Sequence, residues 1–261
     1  MRRFAVLGLI VLAVACDKKD GDVKLAPSAS ALASSAPPPT AKVVKYTIEA
    51  KSKTNIDMPA PKEKIKAFTD GASGELQIDL MNFTNTRGEA KVDLKTITMT
   101  HWPDAKDNVS QSEHARTWLE VADKLPEEVK GPNRWAIFAI RGIEGVSEPN
   151  VTKIPITKDG ADDVRIVTCK AKGEFLVHAH KVSKDLELEL KLRYAPGAKP
   201  DDKPTSIDIK TTKPFEVNLA EHDVKPRDDF GKLAKGAFNL LGTKVAETAT
   251  VSLEFRASPA P

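Results

Sequence analysis

Cysteine is all but missing from this chain: 261 residues hold Cys16 and Cys169 and no other. A disulfide-stapled fold is excluded, and the domain must be held by its own core. Long apolar runs are also missing, except from Phe4 to Ala15, and a membrane-spanning helix needs about 20 such residues. No block of one charge sign occurs: 40 basic and 37 acidic residues leave a net charge of +3 and are spread in both signs, as on solvated faces. No nucleic-acid partner is implied. The spacings of common catalytic motifs fail as well. Gly71-Ala72-Ser73-Gly74 lacks the second spacer of a nucleophile elbow, and Gly236 to Gly242 before Thr243-Lys244 has the wrong length and order for a phosphate loop. No enzyme activity and no cofactor are expected.

What is present begins at the amino terminus. Met1-Arg2-Arg3 followed by the apolar run to Ala15 has the pattern of a signal peptide, residues 1–15. Leu12-Ala13-Val14-Ala15-Cys16 resembles a bacterial lipobox, with the usual Leu displaced by one place, and this implies diacylation of Cys16. The competing reading is an ordinary secretory signal with a chance cysteine. Acyl chains would anchor the protein through buried methylenes, each contributing about 0.8 kcal/mol. The expected location is the bacterial cell envelope, lipid-anchored and facing the periplasm. Residues 16–41 form the anchor and a spacer. From Ala26 to Ala41 the chain is almost entirely Ala, Pro, Ser and Thr and includes Pro37-Pro38-Pro39, a composition that buries too little to offset the entropy of ordering.

The domain is expected over 42–257, with a tail at 258–261. Its first segment, Val44 to Ala50, alternates apolar and polar residues, as a half-buried strand does. The same period marks Leu76–Leu80, Ala90–Leu94 and, most clearly, Leu186–Tyr194. Six more strands are expected at 135–140, 164–169, 174–182, 206–211, 215–219 and 248–255, with turns at Asp70-Gly71, Arg87-Gly88 and Lys172-Gly173. Two helices are expected, Ser112–Ala122 with Ser112 as cap and Asp228–Leu241. About ten antiparallel strands with two short helices describe an all-β sandwich or an up-and-down barrel of about eight to ten strands, whose interior is either filled or holds one small ligand.

His178 and His180 fall on one face of an expected strand, a spacing that can chelate a metal if a third ligand converges. No Cys cluster or His-Glu helix motif accompanies them, so they are read as ordinary strand histidines and no metal site is expected. Cys169, with no adjacent base, is read as a buried, inert thiol.

The order of segments resembles the YceI-like, polyisoprenoid-binding family. Val44–Ala50, Gly74–Leu80 and Ala90–Met99 are similar to its first sheet segment, and Glu113–Val121 to its helical landmark. Arg134–Phe138 sits where the family carries an aromatic strand, and Gly173–Lys184 resembles its hairpin, with Lys181 where glycine is usual. Phe215–Leu219 and Val245–Phe255 are similar to its closing strands. The resemblance implies an antiparallel barrel of lipocalin type around an apolar channel, taking a polyisoprenoid or quinone-like lipid. The side chains expected to meet such a ligand are Tyr46, Leu76, Ile78 and Trp118, with Phe138, Phe175, Phe215 and Phe238. The alternative is a non-enzymatic envelope interaction protein with a filled barrel and functional loops.

Overall fold

The computed structural model describes residues 42–59, 64–226 and 246–261. The expected signal peptide, Cys16, the spacer and the helix at 228–241 with Phe238 lie outside the described residues. The first strands are β1 (Val43–Ile48), β2 (Lys53–Pro59), β3 (Lys64–Thr69), β4 (Ala72–Asp79), β5 (Arg87–Asp93) and β6 (Thr98–Met99). Helices α1 (Ala105–Trp118) and α2 (Glu127–Asn133) follow. The remaining strands are β7 (Trp135–Glu144), β8 (Thr157–Asp159), β9 (Asp162–Val177), β10 (His180–Tyr194), β11 (Ser206–Thr211), β12 (Phe215–Asn218) and β13 (Thr248–Pro259).

Eight strands close a ring in the order β1-β4-β5-β7-β9-β10-β11-β13, and the β1–β13 ladder seals it, with Tyr46 opposite Pro259 and Ile48 opposite Ala257. Every pairing is antiparallel, which is the barrel that the alternating pattern led one to expect. Closure removes the exposed edges that make open sheets prone to association. Because β13 is twelve residues long, it carries two strands in succession on each edge. Its end pairs with β1 and β11, and its beginning with β2 and β12. Beyond the ring the wall therefore continues through β2, β3 and β6. The tail expected at 258–261 begins as strand, since Thr47 pairs with Ser258 and the Ala260 amide donates to the Lys45 carbonyl at 2.9 Å.

Several local expectations are corrected. No strand is expected between Ala50 and Leu76, yet β2 and β3 lie there. The segments 164–169 and 174–182 are not separate strands with a turn at Lys172-Gly173: β9 runs unbroken through Gly173. That glycine answers a packing need, because a Cβ there would lie 2.4 Å from the Ala139 carbonyl oxygen and 2.6 Å from the Phe138 ring. The true turn is His178-Ala179, with φ of 50° and 60° between paired Val177 and His180, the backbone of a two-residue hairpin of the primed type.

Helix α1 starts seven residues earlier than the expected Ser112, because Asp104 caps it by accepting from the Lys106 amide at 2.8 Å. Ser112 is a tie instead: its Oγ donates to the Asn108 carbonyl at 2.6 Å and accepts from the Met99 amide at 2.9 Å, joining α1 to β6. The helix ends at Trp118, so Val121 and Ala122, both fully buried, lie in the loop beyond it. No helix among the described residues is long and apolar enough to cross a membrane.

Candidate ligand cavity and its rim

An apolar cavity of about 180 Å³ lies inside the barrel beneath α1. Thr54, Ile56 and Met58, at every second position of β2 as a pleated wall requires, form one wall with Ile65 of β3. Ala136 and Phe138 of β7, Phe175 of β9 and Trp118 of α1 contribute to the rest. A second void of about 50 Å³ shares Ala90, Phe138, Leu186, Leu253 and Phe255 with the first. Those five side chains are the neck between the two.

Four of the expected contact residues, Trp118, Phe138, Phe175 and Phe215, line the larger cavity. Leu76 and Ile78 line the smaller one. Tyr46 lines neither: it is fully buried, and its hydroxyl donates to the Pro204 carbonyl at 3.1 Å. Burial raises its pKa above the ordinary tyrosine value, as does the neighbouring Tyr194. The expectation missed Thr54, Ile56, Met58 and Ile65, which carry no aromatic ring. The signal that finds them is the every-second-residue run Thr54, Ile56, Met58.

Polar groups are few on these walls. Thr54 Oγ1 in the larger cavity and Thr86 Oγ1 in the smaller are buried without a hydrogen-bond partner. By contrast Thr69 is bonded to Thr96, and its Oγ1 accepts from the Gly71 amide at 3.3 Å. Cys169 lines the smaller void, and burial pushes its thiol pKa up to about 11. A thiol held protonated is a poor nucleophile.

The histidine expectation needs correction. His178 and His180 do not share a strand face, because His178 sits in the left-handed turn ahead of β10. Their rings nonetheless lie almost parallel, at 17° and 6.3 Å between centroids. His178 Nε2 is 2.6 Å from Glu120 Oε2, and its Nδ1 is 3.1 Å from the His222 carbonyl oxygen. His222, fully buried, has Nδ1 3.2 Å from the His180 carbonyl oxygen and packs edge-on against Phe175 at 5.6 Å. Desolvation lowers its pKa below the ordinary histidine value. Ligand atoms of His178, His180 and Asp223 all lie within 4.8 Å of one another.

No protein-family model and no curated protein sequence matches the chain. Among solved structures, a polyisoprenoid-binding domain from Saccharophagus degradans superimposes with a TM-score of 0.50 at 12% identity, over 83% of this chain and 99% of that one. Burkholderia cenocepacia BcnA gives 0.47 at 9% identity over 81% and 99%, and a Campylobacter jejuni YCEI protein 0.40 at 11% over 76% and 86%. Identities this low speak of fold alone: this chain has the antiparallel barrel fold of the Saccharophagus degradans domain.

Proposed function

We propose that the chain is an envelope lipoprotein, acylated at Cys16 and facing the periplasm, that binds or carries an apolar small molecule of polyisoprenoid or quinone-like type in the barrel interior. The observation that carries this reading is the cavity, whose walls are almost wholly hydrocarbon. Its volume of about 180 Å³ exceeds the roughly 150 Å³ at which an apolar void stays dry and accepts benzene. It is smaller than the roughly 300 Å³ of drug-sized sites. A short stretch of prenyl chain fits it, and a longer one reaches the second void when Phe138 turns aside at the neck.

Affinity then comes from buried apolar area, at roughly 25 cal/mol per Å², with few polar contacts to orient a head group. An acyl anchor keeps such a carrier beside the membrane in which its ligand dissolves. The domain named in the Saccharophagus degradans structure is polyisoprenoid-binding, which supports the same ligand class here. Binding, not catalysis, is the activity this interior suits.

The test is native mass spectrometry of the full chain purified gently from a membrane-containing lysate, with organic extraction of bound species. A stoichiometric polyprenyl or quinone adduct is expected, together with an acylated Cys16 on the amino-terminal peptide. A mass without adduct that stays unchanged after incubation with quinones and polyprenyl phosphates would replace this reading with the interaction protein.

A further inference from the structure

Three bends of the chain meet beside the large cavity: the end of α1, the β9–β10 turn and the segment after the short helical turn Ala220–His222. Among the described residues, five that are not glycine have left-handed backbone, and four of them, Glu120, His178, Ala179 and Asp223, belong to these bends. Each such residue costs on the order of 1 kcal/mol, and this kind of strain gathers where side chains must be aimed. What it aims here is a set of donors. His178, His180 and Asp223 converge within 4.8 Å, and Glu120 Oε2 is 2.6 Å from His178 Nε2.

The hydrogen bonds around His178 define what belongs between them. Its Nδ1 faces the His222 carbonyl oxygen, an acceptor, and so carries a hydrogen. The Nε2 lone pair then points at a carboxylate, and two acceptors in contact require a positive particle between them: a proton or a metal ion. A ring whose far N–H is fixed by a backbone carbonyl is the usual outer-shell arrangement of a metal-binding histidine. Glu120 is likewise oriented from behind, by Asn133 Nδ2 at 3.4 Å.

We propose that His178, His180 and Asp223, whose ligand atoms converge, form a site for one divalent cation of the zinc type, with Glu120, now bonded to His178, turning in as the fourth ligand. Two imidazoles and two carboxylates suit that ion, whose ligands sit about 2.0–2.2 Å from it in a tetrahedron. Reaching that geometry from 4.8 Å needs His180 and Asp223 to turn inward, and His178 Nε2 and Glu120 Oε2, now 2.6 Å apart, to open to the roughly 3.3 Å between two ligands of one tetrahedral ion. His180 and Asp223 are both half-exposed. Asp223 now pairs with the Lys225 ammonium, which the ion displaces into water. Leu119, Val177 and Val224 line the cavity and are the chain neighbours of Glu120, His178 and Asp223, so the ion would fasten three elements around the rim. The site does not depend on what fills the cavity.

The experiment is calorimetric titration of the untagged, chelator-stripped full chain with Zn(II), alongside Co(II) followed by its visible absorption. One ion per chain is expected, with the strong bands of tetrahedral cobalt. His180→Ala and Asp223→Asn should each weaken binding at least about tenfold, and His101→Ala should not. Asparagine tolerates the left-handed backbone of Asp223, and neither position is buried, so both variants should fold where a change at buried His178 risks not folding. An absence of saturable binding, affinity unchanged in both variants, or loss of binding in His101→Ala would each overturn the proposal.

Discussion

At one end of the barrel the interior is solid, and at the other it is hollow, although the same long strands build both. Along β10, Leu186 lines both voids and Leu188 and Leu190 line only the smaller, while Leu192 and Tyr194 touch neither and are 0% and 1% exposed. Beside them β9 changes in step, from Val177 and Phe175 on the large cavity, through Cys169, to buried Val167 and Arg165. At the solid end, buried polar groups tie down the loop 195–205. Arg165 donates to the Pro200 carbonyl at 3.0 Å and to the Tyr194 hydroxyl at 3.2 Å, and its guanidinium lies 5.0 Å over the Tyr194 ring. Asp163 accepts from the Gly197 and Ala198 amides at 2.7 and 3.1 Å. At the hollow end the wall is apolar, aliphatic on β2 and aromatic at Phe138, Phe175 and Phe215, and is closed by a helix. A filled, hydrogen-bonded end resists deformation, and an end that holds voids yields more readily.

The largest test of that contrast is Arg165→Met, which leaves the Ile154 and Pro200 carbonyls and the Tyr194 hydroxyl without their buried donor. A loss of about 3 kcal/mol is expected, read as a fall in the urea midpoint, with ligand binding retained by the molecules still folded. A loss near zero would mean that the loop is not held from beneath. A paired comparison follows. Ala257→Phe, at a fully buried site in the solid end, should cost about 2 kcal/mol through overpacking. Ala136→Phe, on the cavity wall, should change stability by less than about 1 kcal/mol yet weaken an apolar ligand about tenfold, or roughly 1.4 kcal/mol. Equal stability losses at the two sites would erase the distinction between the ends.

The long strands that both ends share were the more legible in the sequence. Leu186 to Tyr194 alternates large apolar with charged residues, and the structure buries every apolar member, because a strand with one face on an apolar interior places an apolar side chain at every second position. The hollow end left fainter marks. Its wall strands β2 and β3 are six or seven residues long with Pro59 at one end, and a wall that encloses space needs neither aromatic bulk nor a long run. The β9–β10 turn was misplaced for a related reason. Gly173 has the composition of a turn but serves the close approach of Phe138. His178-Ala179, the actual turn, contains neither the Gly nor the Asn that the left-handed region favours. The convergence of His178, His180 and Asp223 and the contact of Glu120 with His178 depend on three elements far apart in the chain, and no local pattern records them.

A smaller effect separates the two ends through hydroxyl groups. At the solid end the tyrosine hydroxyls are bonded, whereas Thr54 Oγ1 in the cavity wall has no partner. Thr54→Val keeps the branched shape and removes an unpaired buried polar atom, so it should stabilise the ligand-free protein by about 1 kcal/mol, raising the melting temperature. A destabilised variant would show that the hydroxyl is satisfied in solution.

The least expected difference is in acid. The Lys158 ammonium, 2.5 Å from Asp163 Oδ1, and the two loop amides hold the Asp163 carboxyl below the usual aspartate range, against the opposing effect of burial. A carboxylate whose pKa is depressed in the folded state binds fewer protons there than in the unfolded chain, so its contribution is complete above the ordinary value of about 3.9 and is lost as pH falls through the folded value. The stability gap between wild type and Asp163→Asn should therefore be constant near neutrality and shrink only in strong acid, when urea midpoints are compared across pH. A gap that already narrows near pH 6 would show that the folded chain does not hold the Asp163 carboxyl below the ordinary aspartate range.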